Sequence, residues 1–145
     1  MSIDIARLAR APLSDAAVRR IIIVTVKRSG GLQASTWRPQ GRRYALDVAF
    51  IGPARMRELN RTYHGEDQVT DVLAFPGEDG ALGELILCPS YVRQQAERAG
   101  EPVRRELARV LIHGALHLLG YDHARPRDAE RMFGMQEMIV HQLVT

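Results

Sequence analysis

A small mixed α/β sandwich is the fold class this sequence predicts. It has about four strands and about five flanking helices in a single domain over residues 1–145. Three observations predict it. Apolar runs of strand length alternate with stretches of helical periodicity. Serine or proline opens four of the helical stretches (Ser14, Pro53, Pro89, Pro102) and glycine closes three (Gly30, Gly100, Gly120). The composition, 46% hydrophobic and 26% charged, is that of an ordinary globular chain long enough to bury a core.

The elements follow in order. SIDIA alternates polar and apolar residues and reads as a first strand. Beyond Pro12, Ser14 caps a helix to about Arg28, closed by Gly30-Gly31, and Leu32 to Arg42 is a loop. Tyr44 to Ile51 is the second strand, with Ala45, Val48 and Phe50 among its apolar candidates. Gly52-Pro53 opens a helix carrying Met56 and Leu59 to about Tyr63, and HGEDQ is a polar turn. TDVLAF is a strand halted by Pro76-Gly77, GEDGALG a connection, and ELILC the fourth strand. Helices then run from Pro89 to Gly100, from Pro102 to Gly120 and from about Arg127 to Leu143. In this last helix Met132, Met135 and Ile139 stand at core spacing. The order is β-α-β-α-β-β-α-α-α.

Several function classes fall away early. No stretch approaches the roughly 18 apolar residues of a membrane span, and the first residues show no secretory h-region. A lone cysteine, Cys88, has no internal disulfide partner and reads as a small buried residue. These features predict a cytoplasmic protein. Residues 1–70 carry twelve Lys/Arg against six Asp/Glu, and residues 71–145 eight against eleven. Such asymmetry fits a nucleic-acid surface on the first half, and equally fits scattered arginines solvating helix faces.

The chemistry is concentrated in HGALHLLGYDH. His113 and His117, four apart on a helix, point to one face. Gly120 suits the left-handed residue that ends the helix and turns the chain, so that His123 returns as a third ligand. Three neutral imidazoles suit one Zn²⁺ per chain, with a fourth position open for chemistry. Zn²⁺ is favoured over Ni²⁺ or Cu²⁺ by availability.

The spacing matches the zinc motif of the metzincin proteases, except that Gly114 stands where those enzymes carry a catalytic glutamate. Glycine takes no proton, though a metal itself acidifies water. Gly114 is expected to leave the helix surface beside the ion unobstructed for a bulky substrate. The site therefore reads as hydrolytic but not proteolytic, and Gly114→Glu is not expected to create a peptidase. Asp71 and Asp122 are candidates to accept a second ring N–H from a ligand histidine, with Asp122 better suited to a turn.

With ELNRTYHGEDQVTDVLAFP and LGELILCP upstream, the histidine segment resembles the YbeY family, bacterial rRNA maturation factors described as endoribonucleases. The similarity runs from about Tyr44 to Val144. It implies a single-strand-specific, metal-dependent endoribonuclease acting in 16S rRNA 3′-end maturation and ribosome quality control. Its partners would be single-stranded RNA and the small ribosomal subunit, and its metal ligands His113, His117 and His123. The family fold, a small sheet flanked by helices with the site in a cleft, agrees with the order above.

Two residues depart from the family pattern. Most relatives have arginine at the position of His64 and proline at that of Val69. That arginine is regarded as important in the family, and Arg61, one helical turn earlier, can supply its charge. His64 can donate to a phosphate or move a proton, or be a surface histidine in a polar turn. Arg61 and His64 are thus the catalytic candidates beyond the ligands. Three functions stay open: an RNA hydrolase, a ribosome assembly factor whose zinc is mainly structural, and a metallopeptidase, which the missing glutamate argues against.

Overall fold

A computed structural model of the chain describes residues 1–29, 45–78 and 80–144. The elements are β1 (Ser2–Arg7), α1 (Asp15–Arg28), β2 (Ala45–Phe50), α2 (Pro53–His64), β3 (Val72–Pro76), β4 (Ala81–Leu87), α3 (Pro89–Ala99), α4 (Val103–Leu118) and α5 (Pro126–Leu143). Their order is the one expected. Ser14 caps α1 as its spacing predicts, its hydroxyl accepting from the Ala17 N–H at 3.1 Å. The Leu32–Arg42 loop and the Gly30-Gly31 closure lie outside the described residues.

The four strands form one mixed sheet in the order β1-β2-β4-β3. β2 runs parallel to β1 and to β4, while β3 is antiparallel to β4. Two expectations need correcting. β4 begins at Ala81 rather than Glu84, so the glycine-rich connection is partly strand. In β2 it is Leu46, Val48 and Phe50 that are buried, and Ala45 is exposed. Gly83 explains how β4 tolerates its composition. Its φ is 142°, a Cβ would collide with the Phe75 carbonyl, and the β2–β4 register slips beside it. The residue reads locally as a turn glycine, yet it works as a bulge at a close backbone approach. Among the described residues, the outer edge of β3 pairs with no further strand.

The larger core joins Leu46, Val48, Phe50, Leu85 and Leu87 of the sheet to α1, α3, α4 and α5. Met132 and Ile139 belong to it and Met135 packs against it, as their spacing predicts. A smaller cluster of Ile51, Met56, Leu73, Ile86 and Cys88 lies beneath α2. α4 occupies the centre and packs against α1, α3, α5, β3 and β4. Leu107, Ala108, Val110, Leu111, Ile112, Ala115, Leu116 and Leu118 are all buried. An all-round apolar helix is the signature of such a central position. What remains less buried on α4 includes Glu106, Arg109, His113 and His117, one stripe at i+3 and i+4 spacing. His113 and His117 therefore stand on the central, most buried helix of the fold, where a buried leucine truncated to alanine costs about 2–5 kcal/mol.

Candidate metal centre

The end of α4 positions the third histidine. Gly120 has a φ of 99°. Its N–H donates to the His117 carbonyl at 3.0 Å, and the Tyr121 N–H to the Leu116 carbonyl at 3.0 Å. This paired closure is the Schellman arrangement, which needs a left-handed residue at that point. Tyr121 follows into the core and donates its hydroxyl to the Ser29 carbonyl at 3.3 Å. Asp122 Oδ1 then accepts from the backbone N–H of His123 at 2.7 Å and of Ala124 at 3.1 Å. Reversal, anchor and turn together carry His123 back toward α4.

The three rings meet. Centroids are 4.8 Å apart for His113–His117 and for His117–His123, and 5.9 Å for His113–His123. One ligand nitrogen from each lies within 4.8 Å of the others. Metal–nitrogen bonds of about 2.0–2.1 Å in a tetrahedral site put nitrogens roughly 3.3–3.4 Å apart. Small side-chain rotations close that gap, and all three donors are imidazoles. The residues fit a metal ion, and the three histidines are positioned to bind one. Burial first, and the neighbouring His113 and His123 second, push the His117 pKa below the usual 6.5, against opposing pulls from Asp122 and the Tyr121 backbone. The resulting neutral ring is the form that offers a lone pair to a metal.

Gln136 is the site residue that the sequence did not reveal. Its Oε1 lies 2.8 Å from His113 Nδ1. Its Nε2 donates to Glu137 at 3.1 Å, which fixes the amide orientation and leaves Oε1 as the acceptor. Nδ1 of His113 therefore carries the proton, and Nε2 is free for the metal. Asp71 and Asp122 do not take this part. The Asp71 carboxylate accepts from Val72 N–H at 2.7 Å and lies 3.5 Å from the Thr70 hydroxyl. Asp122 Oδ1 stands 4.0 Å from His123 Nδ1, beyond hydrogen-bonding reach, and serves the turn.

Gly114 also differs from expectation. It is buried, and a Cβ there would lie 2.8 Å from Leu85 Cδ2 and 3.3 Å from Val72 Cγ2. It faces the sheet rather than the open side of the triad. Its smallness serves close helix–sheet packing, so it makes no room for substrate.

Two of the three histidines border a cleft of about 270 Å³, lined by His113, His123, Ala129, Met132, Phe133 and Gln136. Arg61 and His64 do not line it. Both are exposed on the last turn of α2. Arg61 borders a separate hollow with Arg57, Glu58 and Asp67, in which Arg57 and Asp67 form a two-pronged ion pair at 2.9 and 3.1 Å. The His64 ring lies 6.2 Å from that of Phe75 on β3, the strand that packs on α4.

Known proteins are similar to this chain in sequence and in fold. The family model described as Endoribonuclease YbeY matches residues 23–144. A relative from Staphylococcus carnosus (strain TM300) named Endoribonuclease YbeY is 39% identical over 106 residues, covering 66% of this chain and 69% of its own. One of the same name from Rhodococcus opacus (strain B4) is 37% identical over 109 residues, covering 66% of this chain and 61% of its own. The solution structure of TM1509 from Thermotoga maritima superposes with a TM-score of 0.65 at 28% identity, over 96% of this chain and 88% of that one. The family match takes in α2, the whole histidine segment and α5, and so the chain belongs to the endoribonuclease YbeY family.

Proposed function

We propose that this protein is a metal-dependent endoribonuclease that cuts single-stranded RNA, with one Zn²⁺ per chain held by His113, His117 and His123. Its substrate in this reading is 16S rRNA, matured at the 3′ end on the small ribosomal subunit in the cytoplasm. One observation carries the proposal: three imidazoles with ligand atoms within 4.8 Å, two on the polar stripe of the buried helix α4 and one returned to it by the following turn, in a chain of an endoribonuclease family.

A bound Zn²⁺ supplies Lewis-acid polarisation of a phosphoryl oxygen and acidifies water. The protein's own groups do the rest. Burial keeps His117 neutral and ready to coordinate. Gln136 holds the His113 ring in one tautomer. Arg61 neutralises a backbone phosphate outside the triad, and the His64 imidazole donates to phosphate or moves a proton. The peptidase alternative is weaker. Among the described residues β3 does offer an unpaired edge of the kind an extended peptide pairs with. Position 114, however, carries no base and points at Leu85.

The test uses purified protein with defined single-stranded and duplex RNAs, including the 16S 3′ precursor end. Chelator-sensitive cleavage of the single strands, absent in His117→Ala, is expected. A protein that binds zinc and the small subunit but cuts none of these RNAs would instead be an assembly factor with structural zinc.

A further inference from the structure

Phe133 is 63% exposed, although it sits on α5 beside Met132, which is 1% exposed. A single exposed aromatic is ordinary on a protein surface. This one is set apart by position, because it shares a cleft wall with Ala129 and Met132 while His113 and His123 form part of the same cleft. A group that fills this cleft beside His113 and His123 lies against that ring. None of the lining residues is Lys or Arg, and Gln136 is engaged by His113 and Glu137. The apolar end of the cleft thus has nothing to hold a phosphate. It suits a flat, uncharged ring.

A nucleotide offers both groups. Its base is joined to its phosphate through one sugar, so a phosphate at the imidazoles delivers its base to the adjoining wall. We propose that Phe133, backed by Ala129 and Met132, is the stacking platform for the unpaired base next to the phosphate held at His113, His117 and His123. The proposal rests on the reading of this chain as an RNA nuclease and deepens it, since it gives single-strand selectivity a physical source. A base within a duplex is already paired and stacked and cannot turn onto the ring without losing both. An unpaired base can, with little dependence on sequence, because every base has a π-face.

The experiment measures binding of a fluorescein-labelled single-stranded oligouridine to the zinc-loaded protein, with Phe133→Ala, Phe133→Tyr and Phe133→Trp variants. Cleavage of the same RNA is followed in parallel. A second series walks one abasic nucleotide along the strand. Phe133→Ala should weaken binding roughly 5- to 100-fold, while Tyr and Trp hold it near wild type and zinc content and melting temperature stay unchanged. The abasic position next to the cut should penalise wild type strongly and Phe133→Ala hardly at all. Wild-type-like binding and cleavage by Phe133→Ala overturn the proposal and leave the nuclease reading intact. So does an abasic penalty of equal size in both proteins. Concentration-dependent dimerisation abolished by Phe133→Ala would assign the face to a second copy of the chain instead. Failure of the wild type to bind or cut any single strand removes the nuclease reading, and the stacking site with it.

Discussion

Nδ1 of His113 on α4 lies 2.8 Å from Oε1 of Gln136 on α5, and this contact ties the metal triad to a charged seam between the two helices. Beyond Gln136 the seam continues through Glu137, which receives Arg109 Nε at 2.9 Å and Nη2 at 3.2 Å, and Arg109 also reaches Glu106 at 2.6 Å. Gln136 is only 7% exposed, so its orientation is set by protein groups rather than by water. An outer hydrogen bond of this kind fixes ring orientation and raises ligand basicity. Gln136→Leu should therefore lower zinc affinity about 10- to 100-fold, measured by competition with a chromogenic chelator. Gln136→Glu keeps the acceptor and should preserve binding, at some cost in stability because a second carboxylate then faces Glu137. Equal zinc affinity in Gln136→Leu and wild type would show that the contact does not position His113.

Gly114 gives a prediction about packing. A glutamate there has to push its carboxylate between Leu85 and Val72, where a Cβ alone already lies 2.8 Å from Leu85 Cδ2. Overpacking together with a buried unpaired charge should destabilise the fold by about 3 kcal/mol or more. Urea denaturation of Gly114→Glu reads this directly. A stable variant with chelator-sensitive caseinolytic activity would mean that position 114 faces the metal after all.

The seam also predicts a pH dependence. Burial pushes the Glu137 pKa up, but hydrogen bonds from Arg109 and Gln136 outweigh it and bring the group below its ordinary 4.5. A carboxyl with a folded-state pKa below its unfolded value adds stability that is complete above the unfolded pKa and lost as pH falls through the folded one. Stability should accordingly drop on acidification below about pH 4.5, and Glu137→Gln should flatten that part of the profile. The side chain is 31% exposed, so solvent screens the effect to a modest size. Parallel profiles for the two proteins between pH 3 and 5 would remove Glu137 from this role.

Arg61 and His64 separate binding from chemistry. Arg61→Ala should weaken RNA binding and reduce the slope of log K against log salt by roughly one counterion, with zinc occupancy unchanged because a guanidinium is not a ligand. His64→Ala should lower the cleavage rate more than the affinity. If both variants bind and cleave like wild type, the end of α2 is a solvated turn and the phosphate contacts lie on another face.

The residues show why some of this site is legible in sequence and some is not. His113, His117 and Gly120 follow from helix period and cap chemistry, both local, so their geometry can be read from spacing alone. Gln136 stands 23 residues from His113 and reaches it only through the packing of α5 on α4, for which the sequence carries no local mark. Gly114 adjoins a histidine in sequence, yet one residue is about 100° around a helix, enough to turn it from the open side to the sheet. Gly83 makes the connection between β3 and β4 read longer in sequence than it is, because its pairing with Leu46 of β2 and Pro76 of β3 overrides the poor strand propensity of glycine.

Rebuilding the metal centre tests the central claim most directly. Protein stripped by chelator is titrated with Zn²⁺ while bound metal and cleavage of a defined single-stranded RNA are followed together. The two signals should rise in parallel and saturate at one ion per chain, and His117→Ala should show neither at the same zinc concentrations. Cleavage undiminished in the stripped protein, or stoichiometric zinc binding in His117→Ala, would contradict the account.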